Sequence, residues 1–378
     1  MPPQQPHIPP HDCASAEDPA FLSEQIITYL GNKRSLLQFI TRAVLEVKRR
    51  LAKPRLTCFD VFAGSGIVSR ALKQHASVLY CNDWESYSRI INTCYLTNRS
   101  AVDMEELTHH LHDLRSRIAA ELRPGFITEL YAPANDEHIL PGERVFYTRR
   151  NAMYLDTARR LIELLPSRLR CFFLAPLLYG ASVHNNTSGV FKGFYKNRHG
   201  IGQFGGDGRH ALTRILGHIE LCMPVFSRFD TECHIMQSEA SLALSAVPEL
   251  DLAYIDPPYN QHPYGSNYFM LNLVANYKRP KSISRVSGIP TDWNRSAYNK
   301  TATARDELFR LIRLCPAKYI LISYNSEGFI PCDAFISSLS ALGKVDYLET
   351  EYNTFRGCRN LHARNLKVKE LLFLLERN

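Results

Sequence analysis

An apolar run, Leu250, Asp251, Leu252, Ala253, Tyr254 and Ile255, leads without a break into Asp256-Pro257-Pro258-Tyr259. A run of this length and character reads as a buried strand, and a proline pair ends it. Proline fixes φ at about −65° and donates no hydrogen bond, so the loop is stiff and its carbonyls remain available as acceptors. One carboxylate, bare carbonyls and an aromatic ring are thus delivered to the carboxyl end of a buried strand. Open α/β sheets bind their ligands at that edge. The same set of atoms suits a planar base with an exocyclic amino group. The plain alternative for the tetrapeptide alone is a strand followed by an ordinary turn.

Residues 56–62 read as a second strand. Ala63-Gly64-Ser65-Gly66 follows, then a helical pattern over 67–74. Glycines at such a turn let a ligand approach the backbone closely. A third strand over 76–81 ends in Asn82-Asp83, where an acid can accept from ribose hydroxyls. Asp83 is the better placed, with Glu85 as the alternative, and a helix cap is the plain reading of either. Only two glycines occur, spaced G-x-G, so the full dinucleotide fingerprint is missing. A nicotinamide-dependent oxidoreductase would account for this turn but not for Asp256-Pro257-Pro258-Tyr259.

Two further motifs flank these, Tyr29-Leu30-Gly31-Asn32-Lys33-Arg34 and Tyr352-Asn353-Thr354-Phe355-Arg356-Gly357. Together with Phe62-Ala63-Gly64-Ser65-Gly66 and Asp256-Pro257-Pro258-Tyr259 they resemble the D12 class of adenine-N6-specific DNA methyltransferases. This Dam-like group, of alpha-type motif order, includes many enzymes of restriction-modification systems. The resemblance runs from Tyr29 to Glu376, with the cofactor motif before the catalytic one and a long insertion between them. It implies an α/β, Rossmann-like class I methyltransferase fold with a mixed, mostly parallel sheet and a largely helical inserted target-recognition region.

The resemblance also implies S-adenosyl-L-methionine as cofactor and double-stranded DNA as partner. A cognate restriction endonuclease would act on the same site without stable binding. The implied cofactor set is Tyr29, Lys33, Asp60, Phe62, Gly64, Gly66, Asp83, Glu239 and Asp256. Lys33 or the Tyr29 backbone would lie near the methionine portion; a solvated first turn is the plain reading of Lys33. Glu239, implied to accept from the cofactor's adenine amino group, departs from the Asp commoner at its position. The implied catalytic set is Asp256, Pro257 and Tyr259: the carboxylate and the Pro257 carbonyl would each accept one N6 hydrogen, and the ring would stack on an extruded base. Cytosine-N4 enzymes usually carry Ser in place of Asp256. RNA adenine-N6 methyltransferases share the tetrapeptide and remain the nearest rival, and a catalytically silent DNA-binding module is a further alternative.

Residues 1–20 are rich in Pro, His and Gln, lack a hydrophobic signal core and are expected to be a disordered tail. Residues 21–96 and 217–378 are assigned to the catalytic domain and 97–216 to the inserted region, with helical patterns over 102–122 and 151–165. Within the insertion, residues 183–200 interleave aromatic, basic, amide and glycine residues, as phosphate contact and base-edge readout require. Lys192, Tyr195, Lys196 and Arg198 are its nucleic-acid candidates, and Arg356 and Arg359, with Arg364, are candidates beyond it. The alternatives are a subdomain that only packs on the core and a solvated hairpin. Residues 278–300 are basic and aperiodic, either a DNA-contacting loop or an exposed connection.

A formal net charge of +8 favours a polyanionic partner, although it is dispersed. None of the ten cysteines forms C-x-x-C, which points to reduced core thiols in a cytoplasmic protein, bacterial or phage-encoded, and to no metal site. No apolar run is long enough to cross a membrane.

Overall fold

The computed structural model of the chain describes residues 16–258, 261, 263–325, 328–353 and 367–378, with the backbone alone at 351–353 and 367–369. Alternating apolar strands and amphipathic helices build one seven-stranded sheet. Its strands are β1 (Leu56–Asp60), β2 (Ala76–Asp83), β3 (Glu232–Gln237), β4 (Leu250–Ile255), β5 (Ala317–Asn325), β6 (Gly343–Asn353) and β7 (Lys367–Arg377), in the order β3-β2-β1-β4-β5-β7-β6. The first five in that order run parallel, and β7 lies antiparallel between β5 and β6. The expected α/β fold with a mixed, mostly parallel sheet is therefore present.

Strand order reverses between β1 and β4, which makes their carboxyl ends the switch point where such sheets form a crevice. The register pairs Cys58 with Leu252 and Asp60 with Tyr254, so Asp60 and Asp256 emerge at the same edge. The acid inside the apolar β4 run is also accounted for. Asp251 accepts from Lys53 Nζ at 2.6 Å and from the Thr57 amide at 2.9 Å, away from the carboxyl edge.

Each face of the sheet is covered by helices. Leu37–Leu51 buries Phe39, Ile40, Val44 and Val47 on one face and ends at Ala52 in the left-handed conformation. Ala240–Ser245, Thr301–Leu314 and Cys332–Ser340 cover the other, around Leu308, Phe335 and Phe373.

The insertion has no core to itself. Helices Met104–Ala120, Phe126–Tyr131, Arg149–Glu163 and Ser167–Val183 share one apolar cluster with Ser86–Leu96 and Phe269–Asn276. Ile219 and Leu221 belong to the same cluster, so packing continues across the 216/217 boundary. Ser167–Val183 gave no periodic signal because it is apolar on nearly every side, burying Leu169, Phe173, Leu177 and Ala181 with Pro176 inside it.

The expected tail also needs correction at its end, since residues 16–20 are ordered. Asp18 caps the helix Pro19–Ser23 by accepting from the Ala20 amide at 2.9 Å, and buried Glu17 accepts from Ser227 Oγ and the Arg228 amide. Behind them, Arg70 donates to the carbonyls of Phe21 and Glu24 at 2.8 and 2.9 Å and lies over the Tyr95 ring. A Pro/Asp-rich stretch looks tail-like in composition, but here it is a capped turn tied down by long-range partners. Among the described residues, Cys58, Cys81, Cys94 and Cys315 are buried free thiols. No described helix is long and apolar enough to cross a membrane.

Candidate functional site

At the carboxyl end of β1 the chain turns through Gly64 at φ 52° and Gly66 at φ 78°, a region other residues enter only at a cost. Several bonds fix the turn. The Ala63 amide donates to Asn82 O at 2.9 Å and the Gly64 amide to Asp83 Oδ2 at 2.8 Å. Asn82 ties the neighbouring strand ends together: its Nδ2 donates to Val61 O and Ser238 O, and its Oδ1 accepts from the Ser238 amide.

The two glycines do different work. A Cβ on Gly64 would stand 2.8 Å from Tyr29 Cε1, so the tyrosine ring lies directly on the turn. A Cβ on Gly66 would run into the buried Asn92 amide of helix Ser86–Leu96. Gly64 lines the cavity described next, whereas Gly66 packs against Asn92.

That cavity, of about 340 Å³, opens at the switch point. Tyr29, Lys33, Asp60, Phe62 and Gly64 form part of its wall. Asp83, Glu239, Asp256 and Pro258 form another, while Pro257 is buried between its neighbours. The sheet therefore brings every cofactor candidate except Gly66 to one space. Tyr259, Arg356, Arg359 and Arg364 lie outside the described residues.

Packing rather than local sequence holds the Tyr29 segment in place. The Tyr29 ring stacks on Tyr264 and Tyr268 at centroid distances of 5.0 and 4.7 Å. Leu30 is pinned by the same two residues: its amide donates to Tyr268 Oη at 2.6 Å, and its carbonyl accepts from Tyr264 Oη at 3.1 Å. Lys33 is 4% exposed, so the solvated reading fails; its ammonium lies 3.3 Å from Asp256 Oδ1 and 2.6 Å from Glu370 Oε1.

The cavity is lined with carboxyl groups whose charge is suppressed by burial. Burial pushes Asp60 up to about 7, only partly offset by the Ser69 hydroxyl that donates to its Oδ2 at 2.6 Å. Burial likewise raises Asp256 to about 7, against the pull of Lys33. Glu85, which also lines the cavity, is raised to about 7 by burial although Asn272 and Asn294 donate to it. Asp60 Oδ1 is buried without a hydrogen-bond partner among the described residues. A buried acceptor without a donor is costly, and a ligand bearing N–H groups or positive charge would relieve it.

The acids at the ends of β2 and β3 are engaged in structure as well. Asp83 binds the turn through Oδ2 and the Glu85 amide through Oδ1, at 2.8 and 2.9 Å. Glu239 caps Ala240–Ser245 by accepting from the Ser241 amide at 3.0 Å and from its hydroxyl. Both carboxylates nevertheless remain in the cavity wall.

Sequence reasoning missed part of that wall. Trp84, Asn294, Tyr298 and Arg310 contribute to it, and Phe62 meets Tyr298 edge-on at 5.3 Å and 86°. Residues 278–300 are thus not a free connection along their whole length. Asn294 Nδ2 donates to Glu85 Oε1 at 3.3 Å, and Tyr298 is buried. An aperiodic polar stretch carries no signal for this, because its partners lie some two hundred residues away.

The nucleic-acid candidates of the insertion are on a separate loop and do not line the cavity. Lys192, Lys196 and Arg198 are exposed and Tyr195 is half-buried. Lys196 Nζ lies 5.2 Å from the Phe194 ring centre, and Arg198 Nε contacts His199. The amides of the same run are scaffolding. Asn186 is buried, donating to Val145 O and Gln203 O and accepting from the Gly205 amide, while Asn185 donates to Ser182 O and accepts from Thr187 Oγ1. They brace the loop that presents the basic residues.

A family model described as D12 class N6 adenine-specific DNA methyltransferase matches residues 29–310. Among curated proteins, type II methyltransferase M.NlaIII of Neisseria lactamica is 28% identical over 363 residues, covering 93% of this chain and 99% of its own. Type II methyltransferase M.CviAII of Paramecium bursaria Chlorella virus 1 is 28% identical over 357 residues, covering 92% and 98%. Type II methyltransferase M.FokI of Planomicrobium okeanokoites is 25% identical over 365 residues, which is 93% of this chain and 52% of that protein.

Proposed function

Because the chain belongs to the D12 class N6 adenine-specific DNA methyltransferases, we propose that the switch-point cavity holds S-adenosyl-L-methionine and that Asp256 receives the target amine beside it. The observation that carries this is the meeting of the glycine turn and Asp256 in one cavity. The residues present fit such a cofactor. Gly64 leaves backbone room beneath Tyr29, Asp60 Oδ1 is a buried acceptor in need of a donor, and the carboxyl groups suit a cationic ligand. Asp83, with Glu85 beside it, is the ribose acceptor in this reading, Glu239 faces the adenine, and Phe62 supplies apolar wall.

When bound, the cofactor supplies an electrophilic methyl group on a sulfonium. The protein's own part is to improve a poor nucleophile. An adenine amino group has its lone pair delocalised into the ring. Asp256 accepts one N6 hydrogen and the Pro257 carbonyl the other, which draws the nitrogen toward a tetrahedral shape and localises the lone pair. This is positioning and electrostatics, without a covalent enzyme intermediate. Within a duplex that nitrogen cannot be reached, so the base must be extruded, and Tyr259 stacks on it. Such stacking contributes on the order of 1–3 kcal/mol per base. Lys192, Tyr195, Lys196 and Arg198 contact DNA from the insertion, and Arg356 and Arg359 from the segment between β6 and β7. The modified sites would be shielded from a restriction endonuclease of the same specificity.

Sequencing DNA from a host that expresses the protein, with modified-base detection, tests the proposal directly. N6-methyladenine at one short sequence is the expected result. Methyl incorporation into ribosomal RNA but not duplex DNA would overturn it.

Cofactor binding should depend on pH with a definite sign. Asp60 and Asp256 are held near 7 by burial, so below that pH they are protonated and neutral, and above it they are anionic. A cationic ligand prefers the anionic forms. The dissociation constant for S-adenosylmethionine is therefore expected to fall by about tenfold between pH 6 and pH 8 and then level off. Titration calorimetry across that range checks this; a constant that rises or stays flat would show that neither acid meets the ligand's charge.

A further inference from the structure

Beneath Asp256 lies a buried charge cluster that the transfer step as described does not require. Glu370, on β7, is 2% exposed and accepts from Lys33 Nζ at 2.6 Å and from Ser323 Oγ of β5 at 2.7 Å. Lys33 reaches Asp256 Oδ1 at the longer distance of 3.3 Å. Three distant parts of the chain thus meet: the segment before the first long helix, the end of β4, and the antiparallel strand.

The sheet does not need an acid at this point. Glu370 is paired in register with Asn325 and Thr350, and the residues after it, Leu371 to Leu375, are all buried and apolar. A buried carboxylate costs several kcal/mol unless paired, and Lys33 is the cation that pairs it. Two carboxylates therefore share one ammonium, and the closer of them is not the one that lines the cavity. The Asp256 side chain, 18% exposed, faces the cavity with Lys33 beside it in the wall.

We propose that Glu370 is a positioning residue for methyl transfer: it anchors the Lys33 ammonium beside Asp256, which fixes the orientation of that carboxylate and limits how far the ammonium takes up its acceptor capacity. The role rests on the reading of Asp256 as the amine acceptor. Were Lys33 to swing fully onto Asp256, a strong charge-assisted hydrogen bond would compete with the weaker donor, the adenine amine.

The electrostatic signs make the role testable. The charged groups that act on Asp256 are Lys33 from the amino-terminal segment and Glu370 from β7; Asp256 in turn raises its neighbours Tyr254 of β4 and Asp60 of β1. Glu370 raises the Asp256 carboxyl and Lys33 lowers it. With S-adenosylmethionine preloaded, the single-turnover rate on duplex DNA has an acid limb set by Asp256. Glu370→Gln is expected to move that limb down by about one pH unit and Lys33→Met to move it up by a similar amount. The plateau rate of Glu370→Gln falls about tenfold as Lys33 loses its anchor, and its affinity for S-adenosylmethionine stays within about threefold of wild type.

The opposed shifts report the two charges; the readout a merely structural acid would not move is a fall in plateau rate at unchanged cofactor affinity. A wild-type limb and plateau in Glu370→Gln, or shifts of the same sign in both variants, overturns the proposal. If Glu370→Gln does not fold, Glu370→Asp keeps the charge while lengthening the contact to Lys33; a loss of about tenfold in plateau rate at unchanged cofactor affinity is expected, and an unchanged plateau overturns the role. Asp256→Asn separates the two readings. If it transfers at the wild-type rate, the acceptor assignment fails; if it is inactive while Glu370→Gln behaves as wild type, only the positioning role fails.

Discussion

Asp256→Ala is expected to bind S-adenosylmethionine within about tenfold of wild type and to transfer its methyl group roughly a thousandfold more slowly in a single turnover, a loss of about 4 kcal/mol from the barrier. The side chain stands at the carboxyl end of β4 and lines the cavity beside Lys33. Removing it leaves the Lys33–Glu370 pair intact, so the fold keeps its buried charge balance. What disappears is the acceptor that localises the amine's lone pair. Filter binding with labelled cofactor and a rapid-quench measurement on duplex DNA separate the two quantities. Transfer within tenfold of wild type would remove Asp256 from the chemistry.

The two glycines of the turn are expected to fail in opposite ways. Gly64→Ala puts a side chain at φ 52°, a conformation that costs a non-glycine residue about 1–2 kcal/mol. It also pushes against a Tyr29 ring that Tyr264 and Tyr268 hold in place. The ring or the turn must shift into the cavity, so the dissociation constant for S-adenosylmethionine should rise at least about thirtyfold, or 2 kcal/mol. Gly66→Ala instead collides with the buried Asn92 amide, outside the cavity. Its main effect should be a lower melting temperature, from a strain of about 1–3 kcal/mol. Asn92→Ala in the Gly66→Ala background should recover part of that loss, since it removes the atom met by the new methyl group. Equal effects of Gly64→Ala and Gly66→Ala on cofactor affinity, by calorimetry, would contradict the division of labour.

Much of the site was legible because it rides on strand ends. An apolar run followed by a stiff, acceptor-rich loop locates Asp256, and a strand followed by glycines locates the turn. Both depend on neighbours in sequence. What escaped notice depends on neighbours in space. Asn294 and Tyr298 lie in a polar, aperiodic stretch and join the cavity wall through Glu85 and Phe62. Glu370 is one acid in an apolar strand, and nothing local distinguishes it from Asp251, which makes an ordinary surface contact with Lys53. Asn185 and Asn186 stand in a run that reads as nucleic-acid-facing, yet burial commits them to the backbone.

By itself the sequence determined the alternation of strands and helices, the motif order and hence the α/β class, because hydrophobic period and turn chemistry act over a few residues. The tertiary structure alone decided that the insertion shares a core with Ser86–Leu96 and Phe269–Asn276, that Gly66 packs against Asn92, and that Lys33 is divided between two acids. Those outcomes are set by which side chains meet across the switch point, where burial, not sequence distance, fixes the energy of each charge.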